Sequence, residues 1–395
     1  MTYSNRLVMG LAVVGGLASI AHAISLTDYT FPTSTTQQAY VNGTFNADGN
    51  STDTTQVGYN FGGSGSYWLA LRSLPFSYDV TAGASASTNR ATADGASAEN
   101  AWDVNVATTL DKYLRNDEKF FVYGAAAVDY RKLAFEDKAD DPRVDVEAGM
   151  GFGRTINATV LKQAVRMDED FVKYGITTRG MPDAALLSLA AIIDREDEFR
   201  SQYGPVEYRK YWYAEMENIL VDAGVMATSS LGAMGVLRIQ EVLVEPSAQR
   251  WHGWKARAGV GARISDYDGS SGDPTLTARL DWHRPIGMDL QITNSTALST
   301  VLSSDVVYTL EDLFRVDYEI SNRIDWYNSL TARMDIPTAT DAENNLEATL
   351  SSTFLFYLEN QLSFNPEVQF RWRDDGIVDA EWDWVILGGI TYRLK

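Results

Sequence analysis

Residues 143–154 read RVDVEAGMGFGR and residues 254–265 read WKARAGVGARIS, and between them the sequence changes character. In the first stretch Val144, Val146, Ala148, Met150 and Phe152 alternate with Asp145, Glu147, Gly149, Gly151 and Gly153. In the second, Trp254, Ala256, Ala258, Val260, Ala262 and Ile264 alternate with Lys255, Arg257, Gly259, Gly261 and Arg263. Period two means strand, and one face of each is apolar while the other is polar or bare. The two are expected to be neighbours in one sheet, interrupted by a helical domain at residues 155–250.

Working outward from that pair, the same alternation recurs at residues 37–45, 54–73, 76–84, 101–112 and 119–132. It returns after the interruption at 274–284, 287–298, 305–320, 322–335, 345–357, 359–372 and 381–394. That makes about fourteen strands, with about 12 or 16 as the neighbouring even counts. Long polar links, such as 46–51, 85–100, 135–142, 267–273, 338–344 and 374–379, alternate with tight ones at 74–75, 115–117, 285–286, 321 and 358–359. The helical stretch takes the place of a tight link, so it belongs at the tight-link end.

The faces repeat the pattern strand by strand. Over residues 322–335, Ile324, Trp326, Leu330, Ala332 and Met334 oppose Arg323, Asp325, Tyr327, Ser329, Thr331, Arg333 and Asp335. Aromatic residues gather at strand ends: Trp102, Phe120, Phe121, Trp251, Trp254, Trp282, Trp326, Trp372, Trp382 and Trp384. Strands longer than those of a sandwich, with aromatic girdles and links of alternating length, suit a sheet closed around a polar interior within lipid.

Bulk properties narrow the classes. The chain opens MTYSNRLVMGLAVVGGLASIAHA, a single early charge at Arg6, an apolar run and a small-residue ending, which predicts an export leader over residues 1–23 with cleavage after Ala23. Cysteine is absent, which excludes disulfides and thiolate chemistry. A net charge of −20 argues against nucleic acid as a partner. The mean hydropathy of −0.21 fits a soluble protein and a lipid-facing barrel equally, because half of every barrel strand is polar.

With those features together, the chain resembles a Gram-negative outer-membrane β-barrel of the porin kind. The likeness is architectural, carried by strand number, link asymmetry, leader and girdle. Its ending, Tyr392 to Lys395, departs from the terminal aromatic residue usual in such barrels. The resemblance implies an all-β, transmembrane, up-and-down antiparallel barrel in the outer membrane, in contact with its lipid, and holding no cofactor. The expected organisation is leader 1–23, N-terminal tail 24–36, first barrel half 37–154, helical insert 155–250 on the periplasmic side or in the barrel mouth, and second barrel half 251–395.

About four amphipathic helices are expected in the insert. The first, near 157–174, carries the stripe Val160, Ala164, Met167 and Phe171. The second follows Pro182 and runs to 201; the third follows Pro205; the fourth spans about 230–244. Asp194, Glu196, Asp197 and Glu198 crowd together, but without the spacing of a calcium loop, so they read as a solvated helix face and no metal site is assigned.

His252 and His283 are the only histidines after the leader, and neither stands in a nucleophile motif, so no catalytic residues are assigned and an enzyme is the weakest reading. The polar faces instead divide by charge. Asp79, Asp103, Asp111, Asp129, Asp145 and Glu147 form an acidic wall before the insert; Lys255, Arg257, Arg263, Arg279 and Arg284 form a basic wall after it. Opposed walls would select polar solutes; direct cross-strand pairing, Asp145 with Arg263 for instance, would fill the interior instead. The bare patch of Gly149, Gly151, Gly153, Gly259 and Gly261 is the expected seat for the helices as a plug. The function expected is a channel for small hydrophilic solutes with a helical plug. The alternative is a membrane anchor whose residues 155–250 dock a periplasmic or export protein.

Overall fold

In the computed structural model the described residues are 24–31, 33–48, 57–93, 95–115, 119–134, 138–246, 248–303, 306–339, 342–376 and 380–394. The leader lies outside them, as do parts of the links at 46–51, 115–117, 135–142, 338–344 and 374–379.

Fourteen antiparallel strands close into one barrel, each paired with its neighbours in sequence and the last with the first. They are β1 (Ser34–Asp48), β2 (Gly58–Arg72), β3 (Phe76–Arg90), β4 (Glu99–Tyr113), β5 (Phe120–Lys132), β6 (Arg143–Asn157) and β7 (Trp251–Ser265). The series continues with β8 (Thr275–Ile286), β9 (Leu290–Val301), β10 (Val307–Ser321), β11 (Ile324–Pro337), β12 (Asn345–Tyr357), β13 (Leu362–Asp374) and β14 (Glu381–Arg393). β6 and β7 are indeed partners, with Asp145 opposite Arg263 and Gly151 opposite Arg257. The stretch rich in Gly62, Gly63 and Gly65 is a single strand, in register with β1 along its whole length. β3 runs on to Arg90 through residues read as link. Its outward positions there are Ala84, Ala86 and Thr88, too small to show an apolar face.

The connections separate by end. Residues 73–75, 114–119, 287–289, 322–323 and 358–361 join strands at the end that also carries the helices; connections at the other end include 91–98, 266–274 and 338–344. Closure between β1 and β14 is the exception in an otherwise full ladder, since register pairs run only from Tyr40 with Arg393 to Gly43 with Ile390.

Between β6 and β7 stand α1 (Thr159–Lys173), α2 (Asp183–Asp194), α3 (Glu196–Asp222) and α4 (Gly232–Val244). The expected stripe holds: Ala164, Met167 and Phe171 of α1 are buried against Leu186, Leu189 and Ile193 of α2, Trp212 and Met216 of α3, and Ile239 of α4. The second helix ends earlier than the sequence predicts, at Arg195, and α3 starts at once. Gly204, at φ 80° and ψ 163°, kinks α3 just before Pro205, whose ring cannot continue the preceding turn.

The tail at 24–36 is not loose. A one-turn helix at Leu26–Asp28 is closed by a capping box between Ser25 and Asp28, and Ile24, Leu26 and Tyr29 are buried in the same core as the four helices. The Tyr29 carbonyl meets Nε2 of His252 at 2.8 Å. This segment straps the helical domain to the start of β1.

Candidate functional site

Alternation along the strands sorts each side chain to the outer surface or the interior. Outward positions are apolar and exposed around the barrel: Val104, Val106 and Leu110 on β4, Val146 and Met150 on β6, Leu276 and Leu280 on β8, Leu350 on β12, Ile386 and Ile390 on β14. Aromatic side chains mark the ends of this surface, with Phe152 against Trp254 at one end and Trp102 against Tyr130 at the other. A band of exposed Leu, Ile and Val that encircles a closed sheet is favourable only when lipid covers it. The chain is a closed β-barrel with an outer face made for lipid.

Arg284 belongs to that outer surface. It has the parity of Leu276 and Leu280, opposite to Arg279, Asp281 and His283, and lies two residues from the end of β8, so it is not part of a basic lumen wall. At this depth the guanidinium can reach the interface while its methylenes stay in lipid.

The remaining charges predicted to line the lumen do so, but as pairs. Asp111, fully buried, accepts from Lys255 Nζ at 2.7 Å and from Arg257 Nη2 at 3.0 Å, and Arg257 also reaches Asp281 at 3.3 Å. Glu147 takes Arg279 at 2.9 Å, Thr277 at 2.7 Å and the Tyr123 hydroxyl. Asp145 takes Arg263 at 3.1 Å and Arg143 at 2.8 Å. Asp79 is held by Arg72 at 2.7 Å, Asp103 by Asn105 at 2.8 Å, and Asp129 by the Tyr267 hydroxyl. β6 and β7 are adjacent, so Asp145 and Arg263 neutralise each other side by side, while Asp111 of β4 reaches across the lumen to Lys255 and Arg257 of β7. The cross-strand alternative describes this wall.

The glycine patch is likewise occupied by the barrel itself. A Cβ on Gly149 or Gly259 would strike the Tyr123 ring, and one on Gly151 the Phe121 ring; Gly153 faces the Trp254 carbonyl and Gly261 the Thr275 hydroxyl. Phe121 and Tyr123 form with Tyr113 a small buried cluster inside the lumen. Gly149, Gly151 and Gly259 are thus sockets for aromatic side chains of β5, and the helices sit elsewhere.

They sit on the rim. Glu319, near the end of β10 and 5% exposed, receives Lys162 and Arg166 from α1, and Arg250 of the return segment lies 3.8 Å away. Arg166 continues to Asn322 at 2.9 Å and Glu245 at 3.3 Å. Arg250, with no exposed surface, donates to the carbonyls of Met288 at 2.9 Å and Asp289 at 2.7 Å. Across the mouth, Arg393 of β14 donates to the Val244 carbonyl at 2.7 Å, and Asn157 to Thr36 of β1 at 2.8 Å. The domain therefore reaches from the β8–β9 and β10–β11 turns to β14, while β6 itself, through Asn157, meets β1. Burial lowers the Lys162 ammonium to about 8 even with Glu319 beside it, and neighbouring Arg250 pushes the same way.

Beneath the return segment lies a cavity of about 640 Å³, bordered by Pro246 and Gln249 above and by Trp68, Arg72, Arg315 and Tyr327 of the barrel wall. A smaller one of about 220 Å³ adjoins it between Asp79, Lys255 and His283. His283 faces Thr293 Oγ1 at 3.3 Å and His252 serves the strap. In the acidic run, Arg200 pairs with Glu196 at 2.5 Å and Asp197 at 3.3 Å, and Arg195 with Glu198 at 2.7 Å, all within one helical turn or so. The rim residues Lys162, Arg166, Arg250 and Glu319 escaped the sequence reading because each looks like a solvated charge; only the fold brings them into one buried group.

No family model and no curated protein matches this chain in sequence. Solved structures similar to it include a loop-deleted OmpT of Vibrio cholerae, at 7% identity and a TM-score of 0.34 over 91% of this chain and 99% of that one. OccK5 of Pseudomonas aeruginosa gives 7% and 0.32 over 92% and 99%, and Omp33 of Acinetobacter baumannii 9% and 0.30 over 92% and 98%. Likeness of this degree says nothing about what passes through the barrel.

Proposed function

We propose that this barrel is an outer-membrane channel for small hydrophilic solutes, with α1–α4 as a lid across its periplasmic mouth. The short-turn end is periplasmic in barrels of this architecture, which puts the lid inside the envelope. The observation that carries the reading is the Glu319 cluster. Burying three cations around one carboxylate is costly unless the geometry is held, and a domain hanging free below the barrel would leave those charges in water. The lumen behind the lid, lined by paired charges and hydroxyls, favours polar solutes.

Single-channel recording in a planar bilayer tests this directly, comparing the intact chain with one in which residues 161–244 are replaced by a short Gly-Ser link. A closed intact protein and a conducting deletion support the lid. Equal conductance of both overturns it, and silence of both overturns the channel.

A second reading has one observation in its favour. On α4, Met234 and Leu237 are half exposed and point away from the core that holds Ile239 and Val242. An apolar strip on a periplasmic lid suits a docking protein, and a co-purifying partner lost on Met234→Asp with Leu237→Asp would favour the anchor.

A further inference from the structure

The ladder between β1 and β14 stops at Gly43 and Ile390, near the periplasmic end. Beyond it, among the described residues, residues 44–48 of β1 and 381–389 of β14 are strands without a register partner on this side, although each keeps its other neighbour. Backbone N–H and C=O groups left open within a bilayer are costly, so a free edge inside a membrane is not a neutral feature. The glycines at the fork leave it unpacked. A Cβ on Gly43 or Gly389 would touch nothing within 4 Å, and one on Gly388 would reach only the Phe364 ring at 4.0 Å.

The unpaired half of β14 also departs from the two-faced pattern. Trp382, Trp384 and Ile386 face out, as elsewhere, but Val385 and Leu387 share the parity of Thr391 and so face the lumen. Elsewhere the adjoining lumen faces are polar, with Asn42 on β1 and Asn365, Glu367 and Gln369 on β13. Over residues 384–387 the strand is apolar on both faces and open along one edge, which makes an apolar path from interior to lipid between the acidic Glu381 and Asp383 and the glycines at the fork. Below it lies the larger cavity, whose wall includes Tyr40, Thr391 and Arg393 of the same two strands. Arg72 and Arg315 there are paired with Asp79 and Asp317, whereas among the described residues Arg393 meets no carboxylate.

We propose that the β1–β14 seam is a lateral gate through which an amphiphile with an anionic head and an aliphatic tail passes between the lumen and the outer leaflet. The head is held over Arg393 and the tail lies along Val385 and Leu387. Closing the gate extends the existing register, bringing Thr44 opposite Gly389 and Phe45 opposite Gly388. The gate is a route distinct from the axial one proposed above, and it stands or falls separately.

The natural absence of cysteine makes the test clean. Thr44→Cys with Gly389→Cys, oxidised in reconstituted vesicles, locks the next rung shut; Val41→Cys with Tyr392→Cys, an existing register pair, is the control. The probe is dansyl-undecanoic acid, read by its rate of transfer out of the vesicle interior, with ion conductance recorded in parallel. Transfer should fall to the protein-free rate on locking and return on reduction, with conductance and the control pair unchanged. Transfer that is unaffected by the lock overturns the gate, whatever the conductance does. Val385→Asn with Leu387→Asn, which leaves the edge open, should slow the probe without any cross-link; if it transfers the probe at the native rate, the assigned path is wrong.

Discussion

Glu319→Gln should unlatch the lid while leaving the barrel closed. The substitution keeps the side chain's shape, turns one of its two acceptor oxygens into an amide donor, and removes the negative charge that Lys162, Arg166 and Arg250 share. With the lid down, Lys162 and Arg250 then sit buried without that charge and Arg166 keeps only Glu245 at 3.3 Å; with it up, the α1 pair returns to water. Removing one partner of a buried ion pair costs about 3–5 kcal/mol. Taking the lower figure, and noting that each ~1.4 kcal/mol is a factor of ten, the closed-to-open ratio falls by roughly two orders of magnitude. Single-channel recording reads this as open probability at fixed voltage, with the unit conductance of the open state unchanged. The paired substitution Lys162→Met with Glu319→Leu should recover part of the closure, because it removes one cation along with the carboxylate and leaves Arg166 on Glu245 and Arg250 on the Met288 and Asp289 carbonyls. A change in open probability smaller than about threefold for Glu319→Gln, well under 1 kcal/mol, would refute the claim that this cluster holds the lid.

Three further outcomes follow from the same geometry. Burial and neighbouring Asp197 raise the Asp194 carboxyl to about 7, so the folded helical domain binds a proton that the unfolded chain, at about 4, does not. The stability this contributes is present below about pH 4 and is lost as pH rises through 7, an upper bound of about 4 kcal/mol, so helical melting by circular dichroism should fall from pH 5 to pH 8 in the native chain and stay flat in Asp194→Asn. Gly151→Ala forces a methyl into the Phe121 ring and the Ala256 carbonyl, and should cost about 1–3 kcal/mol of barrel stability, seen as a lower urea midpoint in detergent. Asp111→Ala strands Lys255 in a buried site, leaves Arg257 only Asp281, and should cost about 3–5 kcal/mol by the same measurement, against under about 1 kcal/mol for Asp103→Ala, which is held by the neutral Asn105.

How much of this was legible depended on whether the signal was local. Period two along strands such as residues 324–335, with apolar residues on one side only, is written in the chain, and so was the count of fourteen. Strand ends slipped where side chains were too small to show two faces, as at Ala84 and Ala86. Lumen charges were placed by parity, which works at every predicted site except Arg284, where parity itself says outward. What the chain could not show is which charges end up dry. Lys162 and Glu319 lie 157 residues apart and each has the look of a hydrated surface position until the domain closes over both. The glycine patch misled for a related reason, since a bare position announces a close approach without naming the group that makes it, here Phe121 and Tyr123.

The N-terminal strap makes the helical core depend on contacts between distant parts of the chain. Tyr29 is among the first described residues, yet its carbonyl bonds to His252, 223 positions later, and its ring is buried in a core built from helices that begin at Thr159. Contacts separated this far in sequence form late, because the intervening chain must first be drawn together. The helical core is therefore complete only when residues on both sides of the β6–β7 connection have been brought to the N-terminal segment. The strap thus makes closing the helical core and joining it to the start of β1 a single long-range event.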